Sequence, residues 1–340
     1  MRNITKITLI LVYLVIVAGA TVRMTGSGMG CPDWPKCFGY LVPPTERAQL
    51  EWQPDNTYKK GQVIIVDETL RVAKKDFVTT DAYLEHNWST YTKHNYAVFN
   101  AFHTWTEFIN RLIGALAGIA TFIMAIVSLQ YWKKNRRVTI LSWITVLGMG
   151  FQAWLGATVV YSVLEPVKIT LHMVMALVIV ALILYILYSI QKPFKESSYN
   201  PLFKNSIIFA LLLTLIQIVL GTQVRQYVDT QIDVFGETAK DQWLTNPTLQ
   251  FYLHRSFSVM VLAVNAFLFY MNRKKALGYS LMNWVIIVLF AEILSGIIMY
   301  YNDFPIGSQA VHLVLASILF GVQFYIFLEV QKSKYQVETL

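Results

Sequence analysis

Long apolar runs alternate with short polar interruptions along this chain. A helix crosses the hydrocarbon core with roughly 20 apolar residues. Eight stretches reach that length, at about 5–23, 102–131, 138–162, 170–191, 205–224, 250–271, 280–301 and 308–330. One long polar segment, 24–100, separates the first two. The pattern predicts an all-α integral membrane protein with eight transmembrane helices. The first run contains "VAGAT", a faint likeness to a secretory cleavage site. It is read as a retained helix, because the repeat described below requires it.

The polar interruptions set the orientation. "KKNRR" (133–137), "QKPFKESSYNPLFKN" (191–205) and "NRKK" (272–275) fall on one side, together with "QKSK" (331–334), Arg2 and Lys6. The opposite short connections, "EPVK" and "NDFPIG", are poor in cations. Lysine and arginine in short loops mark the cytoplasmic side, so both termini are expected there. Charged residues make up 14% of the chain, against about 25% in a soluble domain, so lipid is an expected partner. The net charge of +8 is a topology signal and gives no reason to invoke nucleic acid. The chain has no glycine-rich phosphate loop and no CxxC zinc pair.

The helices repeat. "GATVR" ends at Arg23 and "GTQVR" at Arg225; "EFINRLIGALAG" in the second helix answers "FYLHRSFSVMVL" in the sixth. Asn110 thereby falls opposite His254, and Arg111 opposite Arg255. "ITLHMVMALVIV" and "QAVHLVLASILF" put His172 opposite His312. "QAWLG" and "EILSG" match in the third and seventh helices, and "QIVLG" in the fifth echoes both. Two tandem four-helix bundles are expected as a parallel internal repeat, with units 1–195 and 196–340.

Of the six histidines, His86 and His94 lie in the polar segment. His103, His172, His254 and His312 lie near one end of predicted helices, and ionisable groups there are functional candidates. Axial histidines on facing helices can clamp haem iron, and His254 with His312 make such a pair. Zinc would want three or four converging ligands, which two histidines per repeat fit poorly. Arg255, Arg23 and Arg225 suit haem propionates, since a guanidinium fork matches a carboxylate. For Arg23 and Arg225, snorkelling to the interface is the equal alternative. A proton relay through Glu107 is a further alternative.

These residues resemble the haem A synthases over the whole chain. "GATVRMTGSGMGCPDWPKCFG" resembles their first helix and loop, "TEFINRLIGALAG" their Glu-x-x-His-Arg motif, and "LHMVMA", "LHRSFSVMV" and "QAVHLVLAS" their histidine helices. The resemblance implies oxidation of the C8 methyl of haem O to the formyl group of haem A, for cytochrome oxidase, with water as oxygen source. It implies haem b on His254 and His312 in the second half, and substrate haem O beside His172 in the first. It also implies a catalytic Glu107 and the outer-loop cysteine pair Cys31 and Cys37; Arg111, opposite Arg255, is a further propionate candidate. Haem O synthase, oxidase assembly factors and an unnamed electron acceptor are the implied partners, and the plasma membrane the implied site.

One position departs, because Asn110 stands where the motif has histidine. His103 lies seven residues earlier, about 700° around the helix and hence on nearly the same face, but about 10 Å away along the axis. His103, a loop histidine (His86 or His94), or His172 alone remain open as the ligand set. Two rival functions are a di-haem b electron-transfer protein and a haem transporter. Cys31 and Cys37, on the oxidising side, are expected to form a disulfide, either as a staple or with a thiol-redox or haem-handling role.

Overall fold

A computed structural model describes residues 1–191 and 197–338. Eight helices carry the apolar runs: α1 (Arg2–Met24), α2 (Ala101–Ser128), α3 (Arg136–Tyr161), α4 (Pro166–Ile190), α5 (Pro201–Phe235), α6 (Leu249–Lys274), α7 (Met282–Tyr301) and α8 (Ser308–Glu338). All eight are long and apolar enough to span a membrane. Lys192 and Lys195, counted above among the orienting cations, lie outside the described residues, as does the expected boundary between 195 and 196.

Most helix ends fall close to expectation, and α5 does not. It begins at Pro201 beneath an Asn200 cap, whose side chain accepts the Phe203 N–H at 3.0 Å. It then runs past Arg225 to Phe235 and stops at Gly236, φ 88°. Thirty-five residues make a rod of about 52 Å, longer than the hydrocarbon core. The projecting end contributes Val228 to a small cluster with Trp243 and Phe304.

The chain divides into two compact units. One holds Met1–Val17, Ala117–Met149 and the chain from Met173 onward; the other holds Ala18–Leu116 and Gly150–His172. In the first, α5 packs on α6 and α8, and α7 on α6 and α8. Phe203, Ile207, Leu268, Met282 and Val285 fill that bundle. A buried amide pair crosses it, Gln323 Nε2 donating to Asn265 Oδ1 at 2.9 Å. A second core of the same unit joins Val12, Ala117, Met124, Val138 and Ile183 from α1 to α4.

The other unit contains the polar segment, which is not a featureless connector. Five short strands form there: β1 (Thr57–Tyr58), β2 (Val63–Val66), β3 (Thr69–Ala73), β4 (Phe77–Val78) and β5 (Trp88–Thr90). β1 pairs with β4, and β2-β3-β5 form an antiparallel sheet. The β2–β3 turn is Asp67-Glu68, both at positive φ (49° and 52°), the conformation that suits a two-residue hairpin. The sheet is buried on both faces. Val63, Ile65 and Leu70 pack with Cys31, Cys37 and Phe38, whereas Ile64 and Ala73 pack with Tyr58 and Trp88. The all-α expectation therefore holds for the spanning part, and the polar segment adds a strand subdomain.

Trp88 anchors that subdomain, 5.0 Å from the Tyr58 ring and 5.3 Å from Phe77. Trp88→Ala is expected to destabilise it by roughly 3–5 kcal/mol. Limited proteolysis of the membrane-embedded protein should then cut within 51–99, with helix content unchanged by circular dichroism.

Candidate functional site

Each candidate histidine on α4, α6 and α8 faces a glycine on the preceding helix. A Cβ added at Gly156 would lie 3.3 Å from the His172 ring, one at Gly221 3.1 Å from His254, and one at Gly296 3.5 Å from His312. A larger residue at any of the three would crowd the ring. One turn before each glycine stands a polar residue. Gln152 donates to the His172 backbone carbonyl at 3.0 Å, and Gln217 to that of His254 at 2.9 Å. In the third place stands Glu292, whose Oε1 is 3.3 Å from His312 Nε2. There Ser295 Oγ is also 2.8 Å from His312 Nδ1. The same spacing on α1 ends at Gly19, where an added Cβ would lie 3.9 Å from Asn110 Oδ1; the residue four before it is Val15.

His254 and His312 come together. Their ring centres are 6.2 Å apart and the planes are inclined at 72°. Two imidazoles on opposite sides of one metal ion, at about 2 Å per metal–nitrogen bond, would have ring centres about 6 Å apart. The separation is of the size that a metal-centred ring between two imidazoles needs, while His312 carries Ser295 on Nδ1 and Glu292 on Nε2 here. Among the described residues no three His, Cys, Asp or Glu side chains converge as a metal group, which is what a protein-held zinc would need.

In the other unit the focus is Glu107, 3% exposed. Its Oε2 accepts the Cys31 N–H at 2.8 Å, and its Oε1 pairs with Arg111, one turn along α2. Arg111 also donates to the carbonyls of Asp33 (2.7 Å), Lys36 (2.9 Å) and Cys31 (3.2 Å). Thr104 Oγ1 donates to the Gly30 carbonyl at 2.7 Å. Gly30 lies so close that a Cβ would run into the backbone of His103 and Thr104. Cys31 and Cys37 are joined in a disulfide. Its loop is held from outside as well, by Tyr91 Oη and His94 Nε2 on the Pro32 carbonyl (2.8 and 2.9 Å). Within it, Asp33 accepts the Gly39 N–H at 2.8 Å. Burial raises the Asp33 carboxyl above the ordinary aspartate range, against the opposing pull of that N–H and of Arg111.

The arginines and remaining histidines occupy distinct places. Arg225 pairs with Asp229 at 2.5 Å. Arg255 is exposed and lies over the Tyr252 ring at 5.3 Å, and Arg23 sits in the last turn of α1. His103 is partly buried, its ring 5.9 Å from Phe102, while His86 is exposed among the strands. Sequence reasoning missed Glu292 and the two glutamines as partners of the histidines. The signal was present in the matched "QAWLG", "QIVLG" and "EILSG", where the polar residue precedes glycine by four.

The fold and site define a multi-pass membrane protein that seats imidazoles against glycines and buries a carboxylate beneath a disulfide loop. The chain belongs to the cytochrome oxidase assembly protein family (COX15-CtaA), whose model matches residues 2–80 and 71–324. It is similar to the protein called Heme A synthase from Flavobacterium psychrophilum, at 24% identity over 93% of each chain. That of Flavobacterium johnsoniae is 23% identical over 93% of each. That of Bacillus licheniformis is 23% identical over 99% of this chain and 98% of its own.

Removing Arg111 would leave Glu107 a buried, unpaired charge and release three loop carbonyls. Arg111→Met is expected to destabilise the protein by about 3–5 kcal/mol. Cys31→Ser with Cys37→Ser should cost about 2 kcal/mol through loop entropy alone. Thermal unfolding in detergent should rank wild type, the cysteine double variant and Arg111→Met in falling order.

Proposed function

We propose that this protein is a haem A synthase, an oxidoreductase that converts the C8 methyl group of haem O to the formyl group of haem A. The observation that carries the reading is Glu107, a buried carboxylate fixed by a backbone amide and an arginine in the unit that also holds His172. A plain di-haem electron carrier or a haem transporter gives that carboxylate no work. The names of the similar chains agree with the reading.

The overall change is –CH3 + H2O → –CHO + 4 H⁺ + 4 e⁻, taken in two rounds. Each round removes two electrons and two protons and adds one water. The second leaves a gem-diol that loses water to the aldehyde. His172, in its glycine seat, binds the iron of the substrate, and His103 is the second candidate ligand there. Glu107 takes a proton from the attacking water or steadies positive charge on the methyl carbon; a carboxylate at hydrogen-bond reach suits general-base work. The Cys31 N–H and Arg111 hold that carboxylate in place, which gives the disulfide loop a positioning role. With its guanidinium engaged on Glu107 and the loop, Arg111 is assigned to this fastening, and Arg23, Arg225 (paired with Asp229) and Arg255 stay as the propionate candidates.

In the C-terminal half His254 and His312 would hold haem b, which would supply one-electron transfer, carrying the four electrons released on to an external acceptor. Both termini lie in the cytoplasm of a cell whose plasma membrane the helices span. The sites then face the outer side, and the two four-helix repeats divide near 195–196.

The test is haem extraction from membranes supplied with haem O. Glu107→Gln is expected to lower haem A formation at least about 100-fold, the scale of a lost general base, with haem b content unchanged. Normal haem A from this variant would overturn the assignment. His254→Ala should abolish the bound haem b spectrum, and an unchanged spectrum would sink that pairing.

A further inference from the structure

The two glutamines are not explained by the reaction. Each makes the same bond to the backbone of the histidine it faces, Gln152 to His172 and Gln217 to His254. That bond fixes the amide orientation, because only the nitrogen can donate to a carbonyl. Each then leaves the same two buried atoms without a hydrogen-bond partner: Gln152 Oε1 with His172 Nδ1, and Gln217 Oε1 with His254 Nδ1. Buried polar atoms are nearly always paired, so a matching pair of orphans in two separate seats calls for a reason. In the third seat the ring nitrogen has its partner already, the Ser295 hydroxyl on His312 Nδ1. Where α1 presents Gly19 to Asn110, the histidine is missing, and so is the polar residue: Val15 stands at the glutamine position. Within one chain, the polar residue is present in the three seats that carry histidine and absent from the one that does not.

We infer that Gln217 and Gln152 are positioning residues for the histidines facing them: the amide nitrogen fixes the histidine backbone, and the amide oxygen is the acceptor for Nδ1–H when Nε2 binds iron. The inference rests on the reading above, that these histidines hold haem iron. A metal-bound imidazole carries its proton on the other nitrogen, and an acceptor there sets the tautomer and raises the ligand's basicity. A more basic ligand favours ferric over ferrous iron, so the acceptor lowers the reduction potential.

The experiment uses the purified haem-loaded protein, with haem b content read by pyridine haemochrome and midpoint potential by redox titration. Gln217→Met keeps the length of the side chain and removes both polar atoms. It should retain haem b and raise the midpoint potential. Gln217→Glu keeps an acceptor and should shift the potential below wild type. If Gln217→Met loses its haem, Gln217→Glu decides alone: a lowered potential supports the inference, and a wild-type potential overturns it. Retained haem with an unmoved potential in Gln217→Met also overturns it, as does a shift of both variants in one direction. A wild-type protein without any haem b would instead refute the functional reading itself.

Discussion

The arrangement of histidines depends on one steric condition: a ring on one helix needs a missing side chain on its neighbour. An imidazole that must meet a ligand between helices cannot also displace the adjacent helix. Gly156, Gly221 and Gly296 meet that condition for His172, His254 and His312, each within 3.1–3.5 Å of the ring as judged from an added Cβ. The glutamine one turn earlier then fastens the histidine's own carbonyl at two of these places. Close approach and a fixed backbone together determine where the ring points, before any cofactor is considered.

A second constraint acts on Glu107. A carboxylate 3% exposed on a membrane helix is tolerable only with partners, and these come from two sources. Arg111 lies one turn away on the same helix, a spacing that brings side chains together. The Cys31 amide comes from a distant loop, and its position is secured by Thr104, Arg111, Tyr91 and His94 acting on that loop's carbonyls. The disulfide therefore belongs to the support of the carboxylate as much as to the loop. His94, which sequence alone left open as an iron ligand, has its Nε2 on the Pro32 carbonyl.

The helices were legible in the sequence, and so were the histidines within them, because both leave local marks. Twenty-residue apolar runs can be counted, and histidines within them stand out against their surroundings. The strand subdomain left weaker marks. β2 reads "VIIV" and is buried on both faces, so the alternation that identifies a half-buried strand is absent. Its turn uses Asp67-Glu68 instead of a pair with glycine, so the usual hairpin signal is missing as well. The far end of α5 was missed for a different reason: beyond Arg225 it is polar and no longer follows the spanning criterion. Beyond its i,i+4 partner Glu107, the contacts of Arg111 were illegible in principle, since the other three acceptors are backbone carbonyls, which every residue has.

The glycine spacing on α3 and α7 is followed by a like turn in each case. Val163-Leu164 and Asp303-Phe304 stand seven and eight residues after Gly156 and Gly296, and all four have positive φ, between 50° and 63°. Such backbone is costly for a β-branched residue like Val163, so its recurrence at one register points to a shared turn. Leu164 lies against Gly28, where a Cβ would be 2.9 Å from its side chain; Phe304 is buried with Trp243 and Val228. The two stretches then differ in their side chains. α5–α8 bring His254 and His312 together, their ring planes inclined at 72°. α1–α4 carry one seated histidine, Asn110 in place of another, and the carboxylate under its disulfide loop.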